Sequence, residues 1–170
     1  GGKKSSYQVA DEMQADAQNA LSLINTLSSG GNADLEVAIN NVKQLAYLSR
    51  YYAQKLRGAT YKKAGQTLLA REEMGQAYCW WISYSRSMES TYLPDSFRSV
   101  SIAPDWHYAD AAVLKEYTDL GGVGIPDCDN YFTLTTSATN GSISLNPSGG
   151  IYATNTVVTV TATPNYGYAF

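Results

Sequence analysis

The spacing of apolar residues changes once along the chain, near residue 130, and that change admits only a helical part followed by a β part. Before it, apolar side chains return every three or four residues over long stretches. From Tyr131 onward they alternate, at Phe132, Leu134 and Thr136, then Ile143 and Leu145, then Val158, Val160 and Ala162. Turn residues stand between these runs at Asn140-Gly141 and Ser148-Gly149-Gly150, which reads as a short, Thr-rich, Gly-punctuated β repeat.

Three long helices are predicted in the first part. Met13, Ala17, Ala20, Ile24 and Leu27 form one stripe over about 7–27, ended by Ser28-Ser29-Gly30-Gly31. A second helix opens near Asp34 and Glu36, whose charges suit a positive N-terminal dipole. Its inner face is expected to carry Leu35, Ala38, Ile39, Val42, Leu45, Ala46, Tyr52, Ala53 and Leu56, and it runs to about Lys63. The third spans about 66–91 with Met74, Tyr78, Trp81, Ser85 and Met88 on one line, and stops at Leu93-Pro94. After an irregular segment, Asp105 is expected to cap a short fourth helix over about 106–120, closed by Gly121-Gly122. The fold class is therefore mostly α, an up-down bundle of three long helices plus a short fourth, followed by a truncated small all-β repeat. The domains read as 1–120 for the bundle, 121–130 for a linker and 131–170 for the partial repeat. A chain that begins Gly-Gly-Lys-Lys and stops within a strand reads as a piece of a longer protein, and an incomplete repeat is expected to leave a strand edge unpaired.

A net charge of -3, from 12 basic and 15 acidic residues, gives no polybasic field for nucleic acid. No apolar run approaches the roughly 18 residues of a membrane span. The aromatic content is unusual, with 14 Tyr and 3 Trp against 3 Phe, so most rings carry a polar edge suited to wet or partly buried contacts. Cys79 and Cys128 could close one disulfide in a secreted protein; the alternative is a buried thiol on a helix and a free one in a loop.

Asn140-Gly141, Leu145 to Gly150, Tyr152, Val157 to Val160 and Ala162-Thr163-Pro164-Asn165 followed by Gly167-Tyr168 resemble the bacterial repeat domain related to internalin B-repeats, which implies a secreted or cell-surface bacterial protein. Leu45 to Thr60, Gly75 to Trp81 and Asp105-Trp106-His107 resemble, over about 35–118, the helical accessory region of secreted bacterial polysaccharide-degrading enzymes. The second resemblance implies a carbohydrate role.

Sugar rings stack their C–H faces on aromatic side chains while polar groups bind the hydroxyls. Trp80 and Tyr84 lie off the core line of the third helix, and Trp106 and His107 open the fourth, so these four form the first candidate ligand site. Trp80 and Trp81 point about 100° apart and cannot both face one core. A second candidate is the polar side of the second helix, where Tyr47, Arg50, Tyr51 and Gln54 share a face, with interhelix packing as the alternative. His107, the sole histidine, reads as a hydrogen-bonding cap residue. Glu72, Glu73 and Glu89 suit solvated faces rather than a glycosidase pair, and Asp127, Asp129 and Asn130 read as linker rather than calcium loop. No catalytic group, cofactor or metal is expected. The partners expected are a polysaccharide or oligosaccharide and neighbouring domains of the parent chain, with no nucleic acid and no membrane. The reading is a noncatalytic accessory module of a secreted enzyme. Its rivals are a structural connector that buttresses a catalytic domain, and part of a cell-surface adhesin.

Overall fold

The computed structural model describes residues 2–92, 105–128, 131–134, 136–146, 151–153 and 157–169. The irregular segment 93–104, Asp129, Asn130 and the Ser148-Gly149-Gly150 turn lie outside them. Among the described residues four helices, α1 (Ser6–Ile24), α2 (Ala33–Lys63), α3 (Thr67–Thr91) and α4 (Asp110–Thr118), precede four short strands, β1 (Tyr131–Thr133), β2 (Gly141–Asn146), β3 (Ile151–Ala153) and β4 (Thr159–Pro164). The chain divides into two compact units, Gly1–Pro126 and Asp127–Phe170. It is a mostly α bundle with a small β part.

Each long helix starts and stops for a local reason. Ser5 and Gln8 exchange side-chain and backbone hydrogen bonds at the head of α1, which satisfies donors the first turn would otherwise leave open. Asn32 does the same for α2, its Oδ1 accepting from the Leu35 amide at 3.0 Å. Acidic Asp34 and Glu36 in the first turn and basic Lys62 and Lys63 in the last follow the helix dipole. Gly65 then turns the chain into α3 with φ 75°, a backbone state open to glycine.

In the helical unit α2 packs on α1 and on α3, and α4 packs on α3. Small residues let these helices approach. A Cβ on Gly58 would stand 3.0 Å from Met74 Cε and 3.3 Å from the Ala70 carbonyl oxygen. Along α3 the expected line is buried at Met74, Tyr78, Trp81 and Ser85.

The inner face of α2 differs from expectation. Leu35, Val42, Leu45 and Tyr52 are exposed, while Gln44, Arg50, Tyr51, Gln54 and Arg57 are buried beside Ile39, Ala46 and Ala53. Apolar periodicity picks out the apolar stripe, but a helix flanked on two sides must bury a wider arc. Here that arc takes in polar side chains that satisfy one another. On α1 the buried set is Ala10, Gln14, Ala17 and Leu21, turned from the expected stripe because Gln14 is drawn inward to Arg57. Leu27 lies beyond the helix and is exposed.

The short helix starts at Asp110 rather than Trp106. Asp105 does cap, but it caps a turn: its carboxylate accepts from the His107 amide at 2.9 Å and its carbonyl from the Tyr108 amide at 3.3 Å, which delays the helix by a turn.

Among the described residues of the β unit, strands adjacent in sequence do not pair. β1 pairs with β3 and β2 with β4, both antiparallel, in two separate two-stranded sheets. The β2–β4 register sets Ile143 opposite Ala162 and Leu145 opposite Val160. Asn140, with φ 60°, leads into β2 rather than closing a hairpin, and its carbonyl accepts from the Asn165 amide at 2.9 Å. A Cβ on Gly141 would meet the Thr163 carbonyl oxygen at 2.8 Å, so glycine is required there by the opposing strand.

Candidate binding site

Successive residues of α3 send the two tryptophans to different places. Trp81 is 5% exposed, its indole N–H donating to Asp110 Oδ1 at 2.6 Å, with Tyr51, Tyr84 and Tyr108 around its ring. Trp80 is half-buried against α2. Its ring stacks on Tyr47 at 5.9 Å and 23°, and the Arg50 guanidinium lies 4.4 Å from its centroid.

That arrangement decides the fate of the second candidate. Arg50 is 3% exposed, Tyr51 6% and Gln54 1%, so the strip is packed between helices rather than presented to solvent. Arg50 donates to Gln18 and stacks on Trp80, and burial pulls its pKa down to about 10, against a small opposing influence of Tyr47. A guanidinium over an indole is a favourable use of a desolvated arginine.

The first candidate is partly assembled. Tyr84 and Trp106 line a cleft of about 390 Å³ together with Tyr92, Met88, Leu45 and Leu48, and with the amides of Asn41 and Gln44. Trp80 is not among its walls. The cleft lies between α2 and the end of α3, with Trp106 contributed by the turn before α4 and its ring 6.2 Å from that of Tyr92. The Tyr92 hydroxyl donates to Asn41 Oδ1. Gln44 Nε2 donates to the Ser87 carbonyl at 3.1 Å and to Thr91 Oγ1 at 3.0 Å. Sequence reasoning overlooked Asn41, Gln44 and Tyr92, because amides scattered on an amphipathic helix carry no signal until a second helix converges on them.

His107 stands between two carboxylates. Its Nδ1 lies 2.8 Å from Asp110 Oδ2 and its Nε2 3.2 Å from Glu89 Oε2. Asp110 thus joins the Trp81 indole to the turn that carries Trp106, and His107 ties that turn to the end of α3. Hydrogen bonding to Asp110, then to Glu89, raises the imidazole pKa above its ordinary value. Both ring nitrogens can donate only when the ring is charged. The clasp is therefore complete below about pH 6.5, the ordinary histidine value, and weakens as pH rises through the higher folded value. An NMR titration of this single histidine should show a midpoint above about 6.5, with Asp110→Asn and Glu89→Gln each lowering it. A midpoint at or below that value would show that the clasp does not form.

Neither cysteine is free; Cys79 and Cys128 are both disulfide-bonded. Among the described residues no group of three or more His, Cys, Asp or Glu is arranged to hold a metal ion. Among the described residues no helix is long and apolar enough to cross a membrane.

The comparisons bear on the β unit. Residues 132–170 match the family model of a divergent InlB B-repeat domain. A bacterial repeat of this kind fits a surface or extracellular protein with an adhesin-like role. No curated protein and no solved structure matches the chain. The matched span includes β2, β4 and the Asn140-Gly141 close approach, the residues on which the sequence resemblance rests.

Proposed function

We propose that the helical unit is a noncatalytic carbohydrate-binding module of a secreted bacterial protein that degrades polysaccharide, and that the cleft between α2 and α3 is its glycan site. The observation that carries this reading is the convergence of Tyr84, Tyr92 and Trp106 on one cleft of ligand size with two amides in its lining. The rings receive the C–H faces of a sugar. Asn41 offers its amide NH2 and Gln44 its amide oxygen to hydroxyl groups, since the Tyr92 hydroxyl and α3 already engage the other end of each. Two further points support it: the resemblance of residues 35–118 to accessory regions of such enzymes, and the B-repeat match, which suits an exported protein. His107 serves as a positioning residue here, because both of its nitrogens face carboxylates within α3 and α4.

Calorimetry against neutral and acidic plant and algal polysaccharides tests the reading. Weak, millimolar to micromolar binding is expected to at least one glycan, with Trp106→Ala or Tyr84→Ala reducing affinity about tenfold or more, the loss of one stacking platform. Trp80→Ala should leave affinity within a factor of about two, since Trp80 packs against Arg50 and Tyr47 away from the cleft. No response to any glycan would remove the role. A second reading, a structural connector to a neighbouring domain, is favoured by the burial of Arg50, Tyr51 and Gln54. It expects no ligand response in the same experiment.

A further inference from the structure

Among the described residues one line along α2 is largely exposed, and its exposed members are symmetric in composition. Leu45 is 68% exposed and Tyr52 52%. Ala38 and Ala59, seven residues to either side of them, are exposed, as are Asp34 and Lys63 at the two ends. At about 100° per residue these six positions fall on one narrow face of the helix, together with the half-buried Asn41 and Leu56 and opposite the buried Arg50, Gln54 and Arg57. Its exposed members read acid, small, large, large, small, base. Each exposed member has its counterpart at an equal distance from the Leu48–Ser49 peptide, and the half-buried pair so related is Asn41 and Leu56.

We propose that this face docks on the same face of a second copy of the chain, antiparallel, about a two-fold axis at the middle of α2. In that arrangement Leu45 of each copy meets Tyr52 of the other, and the two large side chains fill the centre. Ala38 meets Ala59, where small side chains let the helix backbones come close. Asp34 meets Lys63 at both ends, so opposite charges close the contact twice. A parallel pair would instead set Asp34 beside Asp34 and Lys63 beside Lys63. A two-fold interface requires one patch to complement itself, and the charge order along this line does so in the antiparallel sense alone. The seven-residue step from Ala38 through Leu45 and Tyr52 to Ala59 is the spacing at which two helices keep a shared seam as they coil. The span from Asp34 to Lys63 is about 44 Å at the usual helical rise, long enough for several layers of contact. The dimer does not depend on the glycan reading. Leu45 also lines the α2–α3 cleft, so where both readings hold the second copy covers part of the glycan site.

Sedimentation equilibrium of the full chain, from about 1 to about 500 μM, a range that covers weak to moderate association, reads the result directly. A reversible dimer is expected. Leu45→Glu should leave a monomer with unchanged helical circular dichroism and weaken association at least about tenfold, because each copy then buries a charge against Tyr52. Asp34→Lys or Lys63→Asp alone should weaken it about threefold to tenfold, as two exposed pairs turn repulsive, and the double exchange should restore it. The far-ultraviolet signal and melting temperature of each variant show whether it still folds, which separates lost association from lost structure. A wild-type chain that stays monomeric throughout overturns the proposal. So does a dimer that survives Leu45→Glu, or one that the double charge exchange fails to rescue.

Discussion

Arg57→Ala is expected to destabilise the helical unit by about 3–5 kcal/mol, the range found when one member of a buried charged network is removed. Arg57 is 1% exposed, and its guanidinium is the hub of three helices. It donates to Asp11 Oδ1 at 2.6 Å and 3.2 Å, to Gln14 on α1, and to Gln54 Oε1 at 3.2 Å, while Gln54 Nε2 passes the chain on to Gln76 of α3 at 2.8 Å. Truncation strands two buried amides as well as leaving a void where the aliphatic stem packed. Thermal denaturation should show a loss of about 10–20 °C. Asp11→Asn should cost much less, because its carboxylate is half exposed and can return to water. An Arg57→Ala variant that melts within about 2 °C of the wild type would mean that the network contributes nothing to stability.

Glu73 supplies the second large effect, and its sign depends on pH. It is 4% exposed and its Oε2 has no hydrogen-bond partner among the described residues. Burial raises its pKa to about 8, opposed by the charge of Arg57 and reinforced by Glu72 and Asp11. The folded protein therefore keeps a proton that the unfolded chain releases near the ordinary carboxylate value of 4.5. A carboxyl whose pKa is raised by folding contributes stability below 4.5 that is lost progressively as pH climbs to about 8. Glu73→Gln keeps the shape and removes the titration. At pH 5 its stability should lie close to that of the wild type. Above pH 8 it should be more stable by several kcal/mol, at most about 5, as measured by urea unfolding. Equal stabilities at both pH values would show that Glu73 is not proton-bearing in the fold.

The two effects share a cause, which also explains what the sequence made legible. Whereas the Ser5 and Asn32 caps emerge only in the structure, helix number, order and approximate ends follow from apolar spacing, from Asp34 and Glu36, and from the glycines at 30 and 31. So does the position of Trp81, because a large ring on the line of Met74 and Tyr78 has only the core to enter. The interior of α2 was not legible. Leu35, Val42, Leu45 and Tyr52 announce a buried stripe by pattern, yet Gln54 and Arg57 occupy the inside, because each finds its hydrogen-bond partners on a neighbouring helix and spacing along one helix carries no information about another. The candidate site divided along the same line. Tyr84 and Trp106 line one cleft that Trp80 does not reach, and Tyr47, Arg50 and Tyr51 pack against Trp80 and α3. The strand pattern held at Ile143 and Leu145, both on the inner side of β2. Pairing order did not follow from it, since alternation marks a strand without saying which other strand it meets.

The interleaved order of the β unit bears on how such a module is made. With β1 joined to β3 and β2 to β4, no ladder closes between neighbours, and each loop that forms must enclose a whole intervening strand. On a growing chain β2 cannot complete its ladder until the ribosome has released Thr159–Pro164. Assembly of this segment is therefore a late, long-loop event, slower than the helices ahead of it.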